Sequence, residues 1–409
     1  MTMIWDKINP KLAEILKFFR PSMIRYWNKQ EDLFSRYRSI ILEGNWPKSD
    51  ICKEFSVDFQ KTNTLDELIQ KHKRYSLLFR ENLADSSILK NEKGEENFLD
   101  LKLTIAHQLL KDCILCERRC KVNRYNQTGY CGLKATAIVQ GLKIHIGLEP
   151  PMIPGGNIFL FGCNFRCDFC RNYHSWSIDE KKPKLTDNFG IYINRLIKNG
   201  AININFDGGE ASLNMNSIIQ ALKKNNNNAS NYNNTDDNKH HNHNHHNVHN
   251  YTNHKPIILS TNFYLTPIAL EILRDIVDVW LIDFKFGNDA CAREIAEIEN
   301  YWKIITRNLK VIKNDNEIVV RHLILPGHLE CCSKPIMDWI AKNLPNSIPI
   351  HLMGQYRPFR KSKRTELNKK ISHKDINEIQ EYATELGINW KSVSGYHLVK
   401  YTKEDLNCP

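Results

Sequence analysis

Two periods of apolar residues divide the chain. In the first part Leu12, Ile15, Leu16 and Phe19 recur at helical spacing, with Lys, Glu, Arg and aromatic residues around them. Residues 1–110 therefore predict a helical N-terminal extension, with a charged, looser patch at KNEKGEEN (90–97). From residue 158 the period changes. Short apolar runs of strand length alternate with helix-like stretches: IFLF (158–161), ININF (202–206), PIILS (256–260), VWLIDF (279–284), EIVVRHLIL (317–325) and IPIHLM (348–353).

Boundary signals sharpen this picture. Thr186 is placed to cap a helix that ends at Gly200, Thr266-Pro267 to start another, and Ser333 with Pro335 a third. Ser372 with Asp375 has the form of a capping box before Ile376, Ile379 and Leu386, and Gly387 stops that helix. Strand–helix alternation repeated six times implies parallel strands with right-handed crossovers. The predicted fold is α/β, an open, partial (β/α)6 TIM-like barrel over residues 151–400. An Asn/His-rich stretch of low complexity, NNNNASNYNNTDDNKHHNHNHHNVHNYTNH (225–254), interrupts it. Its composition predicts a disordered surface insertion spanning 224–255, at a loop where a barrel tolerates one. Its histidines offer weak metal buffering at most, since nothing fixes their geometry.

Composition adds two facts. The 409 residues carry a formal charge of +11 and twelve cysteines. The charge is modest for the length and describes a Lys-rich solvated surface, although it also suits an acidic protein partner, RNA or an anionic cofactor. No run of 18 apolar residues occurs, and the opening MTMIWDKINPKLAEILKFF is too broken by charge for a signal-peptide core. These features predict a cytoplasmic protein without a membrane span. Thiols stay reduced there, so dense cysteines suggest metal or redox chemistry, not disulfides.

The densest group is GCNFRCDFC, in which Cys163, Cys167 and Cys170 follow IFLFG at spacing C-x3-C-x2-C. In a β/α barrel the loop after a strand opens onto the face where active sites gather. A structural zinc site normally takes four protein ligands, and a loose zinc site is the competing use of these three. Three thiolates also suit a four-iron cluster with one iron open to a substrate or cofactor.

C-x3-C-x2-C with an aromatic, Phe169, just before the last cysteine resembles the signature of the radical S-adenosylmethionine (radical SAM) enzymes. The resemblance implies a [4Fe–4S] cluster on Cys163, Cys167 and Cys170, whose open iron is chelated by the amino and carboxylate groups of S-adenosylmethionine (SAM). It implies reductive cleavage of the sulfonium and a 5′-deoxyadenosyl radical that abstracts hydrogen from the substrate. Phe169 would then pack near the adenine. The second strand runs into DGGEAS, where Gly208, Gly209 and Glu210 match the family's Gly-Gly-Glu motif at the methionine amino group. Two glycines let backbone carbonyls approach an ammonium, and a carboxylate accepts from it. Asn262 is a further cofactor-binding candidate. The segments DFKF, RHLILPG and LMGQYRP resemble the branch related to pyruvate formate-lyase activating enzymes.

Polar residues at or near predicted strand ends are Asn262, Asp283, Lys285, His322, Gln355 and Tyr356. Asp283 and Lys285 are candidates to line the cavity, against a helix cap for Asp283 and a surface lysine for Lys285. Arg321 could meet the cofactor carboxylate or a substrate anion, or form a structural ion pair.

A second cysteine group lies upstream. Cys113, Cys116, Cys120 and Cys131 run C-x2-C-x3-C-x10-C and define a small metal-binding element over residues 111–150. The pattern resembles the N-terminal element of activating-enzyme-like radical proteins, with Gly129 and Gly132 suited to tight turns around a metal. Four thiolates fit both zinc and a second iron–sulfur cluster. In activating enzymes with extra clusters the added cysteines follow the first motif. Here they precede it. The adjacent pair Cys331-Cys332 suggests packing ahead of redox use, and Cys52, Cys291 and Cys408 stand isolated.

The expected function is that of a radical SAM enzyme acting on an unidentified substrate, with a protein as the candidate in the manner of an activating enzyme and a reducing donor such as ferredoxin or flavodoxin. RNA modification by the same radical start and a non-catalytic metal-binding interaction module are the alternatives.

Overall fold

Six parallel strands form in the places where the apolar runs predict them. The computed structural model describes residues 33–81, 83, 96–147, 149–173, 189–224 and 254–393. The strands are β4 (Gly155–Leu160), β5 (Asn203–Gly208), β6 (Ile257–Thr261), β7 (Val279–Asp283), β8 (Glu317–Leu323) and β9 (Ile350–Met353). They pair in sequential order, each parallel to the next. A seventh strand, β3 (Val139–His145), adds antiparallel to β4 at the edge. The sequence pattern did not predict it. The mixed α/β class, with its mostly parallel sheet, agrees with the expected open barrel.

Alternation along each strand separates two environments. On β7, Val279 and Leu281 face one core, while Trp280 and Ile282 face the other. The inward core joins Ile258, Val279, Leu281 and Val319 to Tyr37 and Ile41 of α1 (Ser35–Leu42) and to Phe34 just before it. The outward core lies beneath the crossover helices. The sheet also curls. Glu149, in the connection from β3 to β4, reaches His351 on β9 with Oε1 3.1 Å from Nδ1. Residues beside opposite ends of the strand order thus meet across the interior.

The described part of the N-terminal extension closes the end of the barrel where the parallel strands begin. Its helices are α1, α2 (Lys48–Glu54), α3 (Leu65–Glu81) and α4 (Phe98–Leu109), with a short hairpin of β1 (Ser56–Val57) and β2 (Glu96–Asn97). The N–H groups of Arg36 and Tyr37 donate to Glu317 at the start of β8, at 2.8 and 3.0 Å. Lys48 N–H donates to Asp278 Oδ1 at 2.9 Å, just before β7. Asp275 is the hub. Buried Lys102 donates to its Oδ2 at 2.9 Å and Arg80 to its Oδ1 at 2.6 Å, and the Ser76 hydroxyl joins them. Burial pushes the Asp275 carboxyl upward, but Lys102, Arg80 and His72 outweigh it and hold it well below the usual carboxylate range.

Helix boundaries follow the local signals with one exception. Thr266 precedes α7 (Pro267–Arg274), and Ser372 with Asp375 forms a complete capping box on α11 (His373–Glu385), which gives way to Gly387 in the left-handed region at φ 68°. Ser333 does not cap α10 (Lys334–Asn343). A π-helical turn, Leu329–Ser333, precedes that helix, so Ser333 already has helical dihedrals and its hydroxyl meets His322 instead. The expectations for Leu12, Ile15, Leu16, Phe19, Thr186, most of the 90–97 patch, the Asn/His-rich stretch 225–253 and Cys408 lie outside the described residues.

Candidate functional site

Cys163, Cys167 and Cys170 lie on the loop after β4, at the C-terminal end of the parallel strands. The loop is held by its backbone on several sides. Cys163 N–H donates to Cys131 carbonyl at 3.2 Å, Arg166 N–H to Ala296 at 3.0 Å and Asp168 N–H to Ile295 at 2.9 Å. The Arg360 guanidinium spans the carbonyls of Cys167 and Asp168 at 3.2 and 3.1 Å. Phe165 is buried edge-on against Tyr264 and Tyr301. Phe169 is half-buried with its ring centre 6.0 Å from that of Phe286. Burial pushes the Cys163 thiol well up and the Cys167 thiol to about 12, the latter against the pull of Lys285. These thiols keep their protons unless a cation at the site displaces them.

The Gly208-Gly209-Glu210 turn follows β5 and packs directly on this loop. Gly209 N–H donates to Leu160 carbonyl at 2.9 Å and Glu210 N–H to Gly162 carbonyl at 2.7 Å. Gly208 has φ +117°, and a Cβ there would meet Leu160 backbone at 2.3 Å. A Cβ on Gly209 would stand 2.2 Å from the Gly162 carbonyl oxygen. Both glycines are required by this backbone approach, whatever else binds there. The Glu210 carboxylate is buried. It accepts from Ser212 Oγ at 2.5 Å, Thr261 Oγ1 at 2.7 Å and Asn262 N–H at 2.7 Å. Burial raises its pKa and these donors oppose the rise. Asn262 Nδ2 in turn donates to Asn164 Oδ1 at 2.7 Å, which ties β6 to the cysteine loop.

Inward positions near the strand ends are polar. Asp283 receives Lys285 Nζ at 2.6 Å and Arg321 Nε at 2.7 Å. Glu149 lies 3.9 Å from Arg321 and pairs with His351. Burial pushes Asp283 up, but Arg321 and Lys285 prevail and its pKa falls below the ordinary value. Lys285 feels both Asp283 and Cys167, and its pKa rises despite burial. The three cavity candidates thus form one charged group beside the cysteine loop. His322 and Tyr356 do not join it. His322 is buried between Phe284 carbonyl and Ser333 Oγ, both at 2.8 Å, and Tyr356 donates to Leu367 carbonyl at 2.6 Å. Gln355 presents Oε1 buried, without a hydrogen-bond partner among the described residues.

The upstream thiols converge beside the same loop. A Cβ on Gly129 would lie 3.3 Å from Cys120 Sγ and 3.4 Å from Cys131 Sγ. Cys113 shares a hydrogen bond with Cys120, which pushes Cys113 up and Cys120 down to about 5. Burial raises Cys116 to about 11. The Tyr130 ring is flanked by Arg118 at 3.6 Å and Arg166 at 4.3 Å, one cation from each cysteine segment. Arg118 Nε also donates to Asn164 carbonyl at 2.6 Å. A further group was not foreseen. Cys291, described above as isolated, meets His328, Cys331 and Cys332, and their four ligand atoms lie within 4.8 Å of one another.

The fold and these motifs define the class, and comparison with known proteins agrees. The Radical SAM superfamily model matches residues 157–340. A protein of Methanocaldococcus jannaschii described as uncharacterised, MJ0674, is 32% identical over 364 residues, covering 87% of this chain and 98% of the relative. Among solved structures, Streptococcus suis SuiB bound to precursor peptide SuiA is 12% identical with a TM-score of 0.36, covering 56% of this chain and 46% of SuiB. A radical SAM methyltransferase from Sphaerobacter thermophilus is also 12% identical, with a TM-score of 0.41, covering 58% of this chain and 65% of that one. The chain spans less than two thirds of either of these solved proteins. It belongs to the radical SAM superfamily. Membership implies an enzyme with a [4Fe–4S] cluster and SAM. Among the described residues, no helix is long and apolar enough to cross a membrane.

Proposed function

We propose that Cys163, Cys167 and Cys170 hold the [4Fe–4S] cluster, that Gly208, Gly209, Glu210 and Asn262 form the SAM side of the site, and that Phe169 flanks the adenine. When bound, the cluster and SAM supply a carbon-centred radical for hydrogen abstraction. The chain's part is to aim and enclose it. One observation carries the reading: the 2.7 Å bond from Glu210 N–H to Gly162 carbonyl joins the glycine turn to the cysteine loop at a common strand end. Three thiols and a buried carboxylate turn then move as one unit.

Lys285, Asp283 and Arg321 form the polar wall on this reading. Lys285 stands near Cys167 and is held by Asp283, so a cation is kept beside the cluster loop. The substrate is a protein backbone or modified side chain, as in activating enzymes, and reduction comes from a ferredoxin or flavodoxin in the cytoplasm. The upstream thiols form a second metal site, zinc or iron–sulfur. Arg118, Tyr130 and Arg166 couple it mechanically to the first.

The test is anaerobic reconstitution of the full chain, with iron and sulfide counted and SAM cleavage followed with dithionite. Wild type is compared with Cys163→Ala/Cys167→Ala/Cys170→Ala. The expected result is cleavage in wild type only, with about four irons lost in the variant. A larger wild-type iron count, with the remainder kept by the variant, assigns the upstream group to iron. Equal cleavage by both proteins, or wild type that takes up no iron, overturns the proposal.

A further inference from the structure

Cys291 and the trio His328, Cys331 and Cys332 come from different crossovers and meet at one point. Cys291 lies in the first turn of α8 (Asp289–Ala296), after β7. The other three follow β8, on and just before the π-helical turn. Their i, i+3, i+4 spacing turns them to one side. Cys291 Sγ stands 3.7 Å from Cys331 Sγ and 3.8 Å from His328 Nδ1. His328 Nδ1 is 3.3 Å from Cys331 Sγ, and Cys331 Sγ is 3.9 Å from Cys332 Sγ. A tetrahedral zinc ion with metal–sulfur bonds of about 2.3 Å and metal–nitrogen bonds of about 2.0 Å has sulfur–sulfur edges of about 3.8 Å and nitrogen–sulfur edges of about 3.5 Å. These four separations lie within about 0.3 Å of those edges, and the remaining two are under 4.8 Å.

The surroundings match a metal site as well. His328 turns Nδ1 to the thiols, and its buried Nε2 lies at ion-pair distance, 3.5 Å, from Glu366 Oε1 without a formed hydrogen bond among the described residues. A carboxylate behind the second ring nitrogen orients a metal-bound imidazole and fixes its tautomer. Asn288 places Nδ2 3.5 Å from Cys291 Sγ while also donating to Cys331 carbonyl at 2.7 Å. Such a donor suits a thiolate. A Cys291–Cys331 disulfide is the rival use of the pair, but it leaves His328, Glu366 and Cys332 without a common purpose.

We propose that Cys291, His328, Cys331 and Cys332 bind one zinc ion in a closed Cys3His site. Four protein ligands leave no open position, so the ion is structural. It clasps the turn after β7 to the turn after β8. Lys285 and Phe286 lie on the first of these turns, and Phe286 is the ring against Phe169. The clasp therefore steadies one wall of the main site without taking part in its chemistry.

The test uses the full chain purified without oxygen. Zinc per chain is measured in wild type, in Cys291→Ser/Cys331→Ser and in Cys163→Ala/Cys167→Ala/Cys170→Ala. The expected result is one zinc fewer in the Cys291/Cys331 variant and no zinc lost in the triple variant. That difference is independent of whether the triple variant loses iron. Wild-type protein gives a second readout that needs no mutant to fold. Iodoacetamide labelling of Cys291 and Cys331, mapped by mass spectrometry, is expected to rise at least tenfold after a zinc chelator. Equal zinc in wild type and the Cys291/Cys331 variant, labelling unchanged by chelator, or a Cys291–Cys331 disulfide in the native chain overturns the proposal.

Discussion

The main-chain N–H of Glu210 donates to the carbonyl oxygen of Gly162 across 2.7 Å, and this bond leaves no room for a side chain at Gly209. A methyl group there would stand 2.2 Å from the same oxygen. Backbone cannot swing aside as a flexible side chain does, so the turn must separate from the cysteine loop. Gly209→Ala is expected to cost about 1–3 kcal/mol of stability and to lower iron loading. Gly141→Ala is the control, since a Cβ at Gly141 meets nothing within 4 Å. Iron per chain and thermal melting of both variants check the pair. Full loading of Gly209→Ala would show that the two loops are not coupled.

Asp275 gathers Lys102, Arg80 and Ser76 at the closed end of the barrel, and Lys102 and Asp275 are both fully buried. Lys102→Met removes one of the two cations on this buried carboxylate and leaves Arg80 on Oδ1. It is expected to destabilise the chain by about 1.5–3 kcal/mol, the scale of one charge-assisted hydrogen bond, measured by urea unfolding of the reconstituted protein. A loss below about 1 kcal/mol, the scale of an exposed pair, would contradict the burial. Deleting residues 1–110 also removes Tyr37 and Lys48 from the barrel floor. Loss of the folded barrel is expected.

What could be read from the chain depended on distance along it. The cysteine loop was legible because Cys163, Cys167 and Cys170 are local and their spacing carries the signal. The six parallel strands were legible because strands buried on both faces become continuous apolar runs. Strand β3 was not. It is an edge strand, its residues are only partly buried, and a register shift between Val139 and Gly141 breaks its alternation. Lys102 and Asp275 lie 173 positions apart, and Cys291 lies 37 from His328, so no local spacing announces either meeting. Ser333 had the right neighbours for a cap, but the π turn before it had already begun the helix.

Acid stability carries the signature of His322. Burial pushes its pKa down from 6.5 to about 4, so the folded chain keeps the ring neutral. The unfolded chain takes up a proton once pH falls below about 6.5. Between those values the unfolded state binds more protons, so stability rises with pH and is lost as pH falls. The loss from this group amounts to about 3 kcal/mol by pH 4. His322→Gln offers an uncharged hydrogen-bonding side chain and is expected to remove this group's share of the slope between pH 6.5 and 4, while buried His72, whose pKa burial also pushes well down, keeps its own share. The contribution of Asp275 is distinct, because its depressed pKa keeps its stabilisation above its usual value of 3.8 and loses it only in stronger acid. Urea midpoints of both proteins across pH 4–7 check the assignment. Parallel profiles would remove His322 as the cause.

Asp283 holds two cations at once, Lys285 at 2.6 Å and Arg321 at 2.7 Å. Asp283→Asn keeps the shape and removes the charge, so Lys285 loses its main opposing charge beside Cys167 and Arg321 turns toward Glu149. Charge-assisted hydrogen bonds contribute about 1.5–3 kcal/mol each. If this group sets the polarity of the reacting wall, SAM cleavage is expected to fall roughly 10- to 100-fold, while iron per chain stays at the wild-type level, because Cys163, Cys167 and Cys170 are unchanged. 5′-Deoxyadenosine formation at saturating SAM, normalised to iron, separates the two effects. Cleavage that falls only in proportion to lost iron would make Asp283 a support of the cluster loop. Unchanged cleavage with full iron would leave the ion group to the fold.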